Sequence, residues 1–175
     1  YLGLRINLRR WLRLAAPALL IGTLLIALTL VIGSTVNGAS RWLVLGPIQL
    51  QPTELIKPFL VLQGAAIFSH WSRIANDQKV IWLGVFAVTL GLILKQPNLS
   101  TAALCGILLW LMALASGLPL WAMLGTAGAG LTVAVGSISI NEYQRIRVTS
   151  FLNPWKDAQG DGYQLVQSLL AIGSG

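Results

Sequence analysis

The chain is 175 residues long, 55% apolar and only 10% charged, with a net charge of +7 and a mean hydropathy of +0.74. A soluble domain carries about 25% charged residues, so this composition excludes a soluble globular fold and a disordered chain and leaves an integral membrane protein. The positive charge gives no reason to expect nucleic acid, because most basic residues flank apolar runs.

Arg5, Arg9, Arg10 and Arg13 precede a stretch from Leu14 to Ser40 that holds no Asp, Glu, Lys or Arg. A helical crossing takes roughly 20 residues, which predicts a first span over about 14–33. Asn37-Gly38-Ala39-Ser40-Arg41-Trp42-Leu43 then reads as a short loop, where Trp42 suits an interfacial aromatic belt and Arg41 a lipid phosphate. The second span, about 52–71, carries Glu54 and Lys57 inside an apolar pattern. Pro52 suits a first helical turn. Glu54 and Lys57 share a face and can pair, and Pro58, which cannot donate to the carbonyl of Glu54, predicts a kink. The residues alone leave two readings open: an ion pair that fixes helix packing, or a pair that lines a polar cavity.

A third span over about 79–95 is long enough if Lys95 snorkels. The uncharged run from Gln96 to Asn141 holds two more, about 99–117 and 119–138, with the turn at Gly117-Leu118-Pro119. The expected fold is therefore an all-α polytopic membrane protein with about five transmembrane helices. The basic cluster before the first span, with Arg73 and Lys79 after the second, marks the cytoplasmic side, although Arg41, Lys95, Arg145, Arg147 and Lys156 fall on the other. Residues 139–175 are then an extracytoplasmic loop, and Gln164 to Ile172 within it form a short amphipathic helix. The chain starts at Tyr1 and stops in a Gly173-Ser174-Gly175 tail, and we expect it to be a piece of a larger protein. Cys105 is the single cysteine, which leaves no disulfide, and His70 at a helix end reads as interfacial.

The acidic residues are few, and Glu142, Asp157 and Asp161 fall together in the last segment with Arg145, Arg147 and Lys156. Turn-forming residues surround Asp157, which places its carboxylate on a loop near the membrane surface. From composition alone this is a solvated face. Zinc-ligand spacing, a serine–histidine pairing and a phosphate-cradling glycine motif are absent from the sequence.

Five separated motifs occur in order: Gly38-Ala39-Ser40-Arg41-Trp42-Leu43; Gln51-Pro52-Thr53-Glu54-Leu55-Ile56-Lys57; Gln96-Pro97-Asn98-Leu99; Tyr143-Gln144-Arg145-Ile146-Arg147; and Asn153-Pro154-Trp155-Lys156-Asp157 with Gly162-Tyr163-Gln164 and Gln167-Ser168. In these the chain resembles the SEDS family (shape, elongation, division, sporulation), which contains FtsW, RodA and SpoVE. The resemblance implies a ten-helix fold, of which this chain is the third to seventh spans and most of the large extracytoplasmic loop that follows. It implies a peptidoglycan glycosyltransferase in the bacterial cytoplasmic (inner) membrane that polymerises lipid II, an undecaprenyl-diphosphate-linked disaccharide peptide, and works with a class B penicillin-binding protein. The essential acid of the family matches Asp157, with Asp161 as the reserve. Glu54 and Lys57 match a pair facing a central cavity, Arg41 and Trp42 match another marked loop, and Gln164 belongs to the last motif. Arg145, Arg147 and Lys156 are candidates to stabilise the diphosphate leaving group, as is a divalent cation, magnesium or manganese.

The Asn153-Pro154-Trp155 run leans toward the FtsW division branch rather than RodA-like elongation. A lipid-linked-precursor flippase is the alternative from another class, and the piece alone is not expected to be active. The chain departs from the family pattern at Asn98 and Ser100, where Asp and Gly are usual, at Pro58, and at Asp161.

Overall fold

The structure, a computed structural model, describes residues 7–36, 39–45, 48–96, 98–160 and 162–175, without the side chains of 34–36, 39–41, 44, 45 and 48. Two compact units divide it, Tyr1–Gly130 and Leu131–Gly175.

The first unit begins with helix α1 (Leu8–Ile32). It starts before the predicted span because Asn7 caps it, its Oδ1 accepting from the Arg9 amide at 3.2 Å. Arg9, Arg10 and Arg13, good helix formers, then extend the helix beyond the apolar run. The expected loop after α1 is instead a three-stranded antiparallel sheet of β1 (Ser34–Val36), β2 (Ala39–Leu45) and β3 (Ile48–Leu50). Val36 pairs with Ala39 and Leu45 with Ile48. Ser40 to Leu45 is also rich in bulky and β-branched side chains, which suit a pleated surface.

Helix α2 (Pro52–Ser69) has Pro52 in its first turn, as the sequence predicts, and runs unbroken through Pro58. It is the centre of the unit, packed on α1, on α3 (Asn76–Lys95) and on α4 (Leu99–Ala115). Leu19 and Ile26 of α1, Ile56 and Leu60 of α2, Ile93 of α3 and Cys105 of α4 form the centre of the core.

Two glycines make room for side chains of neighbouring helices. A Cβ at Gly22 would lie 3.1 Å from Ile56 Cγ1, and one at Gly64 would lie 2.8 Å from Met112 Cε and 2.9 Å from Leu109 Cδ2. Small residues at such crossings replace the missing hydrophobic drive between helices in lipid with close packing. Polar cross-links add to it. The Thr23 and Thr89 hydroxyls are 2.8 Å apart, Gln96 Nε2 donates to Thr29 Oγ1, and Trp110 Nε1 donates to the Met123 carbonyl at 3.1 Å. By length and composition α1, α3 and α5 (Leu120–Ile140) can each cross a membrane and α4 is a shorter apolar helix, while α2, expected as the second span, is not among the described helices long and apolar enough to cross. Their apolar residues Leu24, Val31, Val80 and Leu131 are exposed in this chain.

In the second unit, residues 139–175, expected as an extracytoplasmic loop, are largely helical. After α5 ends at Ile140 come α6 (Glu142–Leu152), a 3₁₀ turn (Pro154–Asp157) and α7 (Tyr163–Gly173). Glu142 in the first turn of α6 favours the helix through its dipole. Pro154 ends α6 and opens the 3₁₀ turn, since it lacks the N–H that a continuing helix needs. The predicted amphipathic helix from Gln164 is α7, started a residue earlier, at Tyr163.

Candidate functional site

Chemically capable residues gather at two places, one in each unit. In the first, the opening turn of α2 directs Lys57 Nζ onto Glu54 Oε2 at 2.6 Å. The Lys57 side chain is 28% exposed and that of Glu54 53%, so in water such a pair contributes at most about 1 kcal/mol. The two charges neutralise each other within one helical turn, which lowers the cost of holding either in an apolar setting. Cys105 is buried on α4. Beside Glu54 in the chain, Thr53 is completely buried, and its hydroxyl has no hydrogen-bond partner among the described residues. Trp42 is half-buried on β2, opposite Ser34. Arg41 lies on the same strand, and its side chain lies outside the described residues.

The Gln96-Pro97-Asn98-Leu99 motif turns out to be architectural. Gln96, 1% exposed, reaches from the end of α3 to α1. Asn98 caps α4, its Oδ1 accepting from the Thr101 amide at 3.4 Å. Asn and Asp cap equally well, so the departure from the family pattern at this position preserves the cap. Pro97 is outside the described residues.

In the second unit, α6 and α7 both pack against the 3₁₀ turn that ends in Asp157. Pro154 anchors that turn in the interior, while Trp155, Lys156 and Asp157 are exposed. The turn closes through backbone bonds: Gly160 N–H and Gly162 N–H donate to the Asp157 carbonyl at 3.3 and 3.0 Å, and Tyr163 N–H donates to that of Gly160 at 3.0 Å. The Asp157 carboxylate is itself held, its Oδ1 accepting from Gly160 N–H at 3.1 Å. Asp161, the reserve acid, lies outside the described residues.

The basic residues sit along α6. Arg145 lies 3.7 Å from Glu142, both well exposed, and the Arg147 guanidinium lies 5.9 Å from the Tyr143 ring centre. Between them Gln144 turns inward, 4% exposed, and its Oε1 accepts from the Ser137 hydroxyl at 2.8 Å. That bond ties the first turn of α6 to the end of α5. Gln164, on the first turn of α7, is exposed. Sequence reasoning missed the parts played by Gln144, Gly160 and Gly162. The signal for the glycines was present as a Gly-x-Gly spacing just after the acid.

Among the described residues no three of His, Cys, Asp and Glu come together to hold a metal ion.

Residues 1–175 match the family model described as "Cell cycle protein", which covers FtsW, RodA and SpoVE. The chain is 58% identical over 172 residues to a probable peptidoglycan glycosyltransferase FtsW of Synechocystis, across 98% of this chain and 44% of that protein. It is 47% identical over 171 residues to a putative peptidoglycan glycosyltransferase FtsW of Mesostigma viride, across 98% of this chain and 41% of the other. The chain thus spans less than half the length of these relatives. The crystal structure of the rod shape determining protein RodA of Thermus thermophilus matches with a TM-score of 0.60 and 34% identity over 71% of this chain and 42% of that one. A chain from a peptidoglycan synthase complex, solved to show how polymerisation and crosslinking are coordinated, matches with a TM-score of 0.70 and 33% identity over 96% of this chain and 51% of its own.

Proposed function

Because this chain belongs to the cell cycle protein family of FtsW, RodA and SpoVE, we propose that it is part of a peptidoglycan glycosyltransferase that polymerises lipid II during cell division. The division role is favoured by relatives named FtsW at 58% and 47% identity, against 34% for the RodA structure. The protein is a polytopic membrane protein, and its place in the proposal is the cytoplasmic membrane of a bacterium with the second unit on the outer face. The activity belongs to the whole protein, of which this chain is one transmembrane portion.

The observation that carries the reading is the carboxylate of Asp157, fixed by Gly160 N–H on an exposed turn between two helices. In the reaction, the acceptor sugar hydroxyl oxygen forms a bond to the anomeric carbon of the donor. The bond from that carbon to the diphosphate breaks, and undecaprenyl diphosphate leaves with the electron pair. The hydroxyl is a poor nucleophile until it gives up its proton, and Asp157 takes that proton as general base. Lys156 beside it in the chain, with Arg145 and Arg147 on the helix that packs against the same turn, faces the growing negative charge of the leaving group. Glu54 and Lys57 line the path of the lipid-linked substrate, a role in keeping with an ion pair partly exposed on a membrane helix. A divalent cation, magnesium or manganese, would add to the same charge stabilisation when bound. A class B penicillin-binding protein is the proposed partner. The similarity to a chain of a peptidoglycan synthase complex supports it.

The test is Asp157→Asn in the full-length protein, with lipid II polymerisation measured in detergent, where there are no two sides to transport between. The expected loss is at least about 10²-fold, the contribution of a positioned general base. Polymerisation at the normal rate removes Asp157 from this role, and the same measurement on Asp161→Asn then tests the reserve acid.

A further inference from the structure

Asp157 stands on an exposed turn, and a general base must aim at one proton. The turn after Asp157 supplies the aim. Gly160 N–H reaches both the side chain and the carbonyl of Asp157, Oδ1 at 3.1 Å and the main-chain oxygen at 3.3 Å. A Cβ at Gly160 would land on the carboxylate, 2.7 Å from Cγ and 2.8 Å from Oδ1, and nearer still to Oδ2. Two residues on, a Cβ at Gly162 would land on the main chain, against the Pro154 carbonyl oxygen and 2.9 Å from that of Asp157. Neither glycine has the positive φ found at Gly117 and Gly175, so space, not backbone freedom, is what each provides.

The two glycines therefore do different work. At Gly162 a methyl group meets backbone that cannot move without opening the turn. At Gly160 it meets the far end of a side chain, which yields by rotating away. We propose that Gly160 is a positioning residue for glycosyl transfer: its N–H and its lack of a side chain together hold the Asp157 carboxylate in the orientation that receives the acceptor proton. This rests on Asp157 being the base.

The experiment uses the full-length protein with Gly160→Ala, Gly162→Ala, Asp157→Asn and the Gly160→Ala/Asp157→Asn double variant. Lipid II polymerisation is measured across substrate concentration, and thermal unfolding is followed in detergent. Gly160→Ala is expected to unfold at the wild-type temperature and to lower kcat about 10- to 100-fold, the cost of a misplaced catalytic group. Its KM stays unchanged, because an interaction made only in the transition state is lost. In the Asp157→Asn background the same substitution changes nothing further, since groups acting as a unit are not additive. Gly162→Ala lowers the unfolding temperature.

Wild-type kcat in Gly160→Ala, with Asp157→Asn inactive, overturns the positioning role and leaves the base assignment standing. A Gly160→Ala protein that loses stability as Gly162→Ala does, or that slows Asp157→Asn further, shows a structural role only and also overturns it. Full activity of Asp157→Asn removes the base and the positioning role with it.

Discussion

Replacing Gln96 by leucine tests whether the polar contacts between α1 and α3 hold the helices together or only satisfy one another. Gln96 is 1% exposed, and its Nε2 donates to Thr29 Oγ1 and, at 3.4 Å, to the Ile26 carbonyl. The Thr29 hydroxyl also donates to the Ile26 carbonyl at 2.7 Å. Leucine keeps most of the buried volume and removes both donations. Neither acceptor is stranded, since Ile26 retains the Thr29 hydroxyl and Thr29 is itself engaged. The cost is then that of interhelical hydrogen bonds in a membrane protein, about 0.6 kcal/mol on average and up to about 1.7. It is not the 1–3 kcal/mol or so of an abandoned buried polar group added on top. Gln96→Ala also leaves a void and costs about 2 kcal/mol more. Reversible unfolding of the full-length protein in mixed micelles, followed by circular dichroism, gives both values, and a cycle with Thr29→Val isolates the pair. A loss above about 3 kcal/mol for Gln96→Leu would refute the reasoning, as would equal losses for Leu and Ala.

Two further outcomes follow from the same structure. Asn98→Asp keeps the α4 cap and leaves the unfolding temperature near that of the wild type, whereas Asn98→Ala costs about 0.5–2 kcal/mol; equal stability of the two variants removes the capping role. Glu54→Gln with Lys57→Met removes both charges and changes stability by less than about 1 kcal/mol. Lipid II polymerisation by this double variant falls if the pair lines the substrate path, and an undiminished rate assigns the pair to packing.

The helices were legible because lipid makes their signal simple. An apolar run of sufficient length has few other structures open to it, and charges bound it, so α2, α4 and α5 lie close to the spans expected from Pro52, Leu99 and Pro119. Helix and crossing are not the same object, however. α1 and α3 continue past their apolar runs through Arg9, Arg10, Arg13 and Lys79, which are polar yet good helix formers. The small sheet was not read, although Asn37-Gly38 between two short strands is a strong hairpin signal. Its strands are too short to show a period against the loop background. At the site, motif order pointed to Asp157, but what holds its carboxylate is a main-chain N–H. Main-chain donors carry no residue identity, so only the glycine spacing could have betrayed it.

The sheet also has a mechanical consequence. Gly33 alone separates α1 from β1, and Gln51 alone separates β3 from α2. There is no slack on either side. If α2 slid along its axis, the displacement would have to be absorbed by β2 slipping against β1 or β3, and a strand slips while keeping its faces only in steps of two residues, about 6.6 Å. Smaller shifts would turn Trp42 to the opposite face. The position of Glu54 and Lys57 along the axis of α2 is thus tied to the register of the sheet.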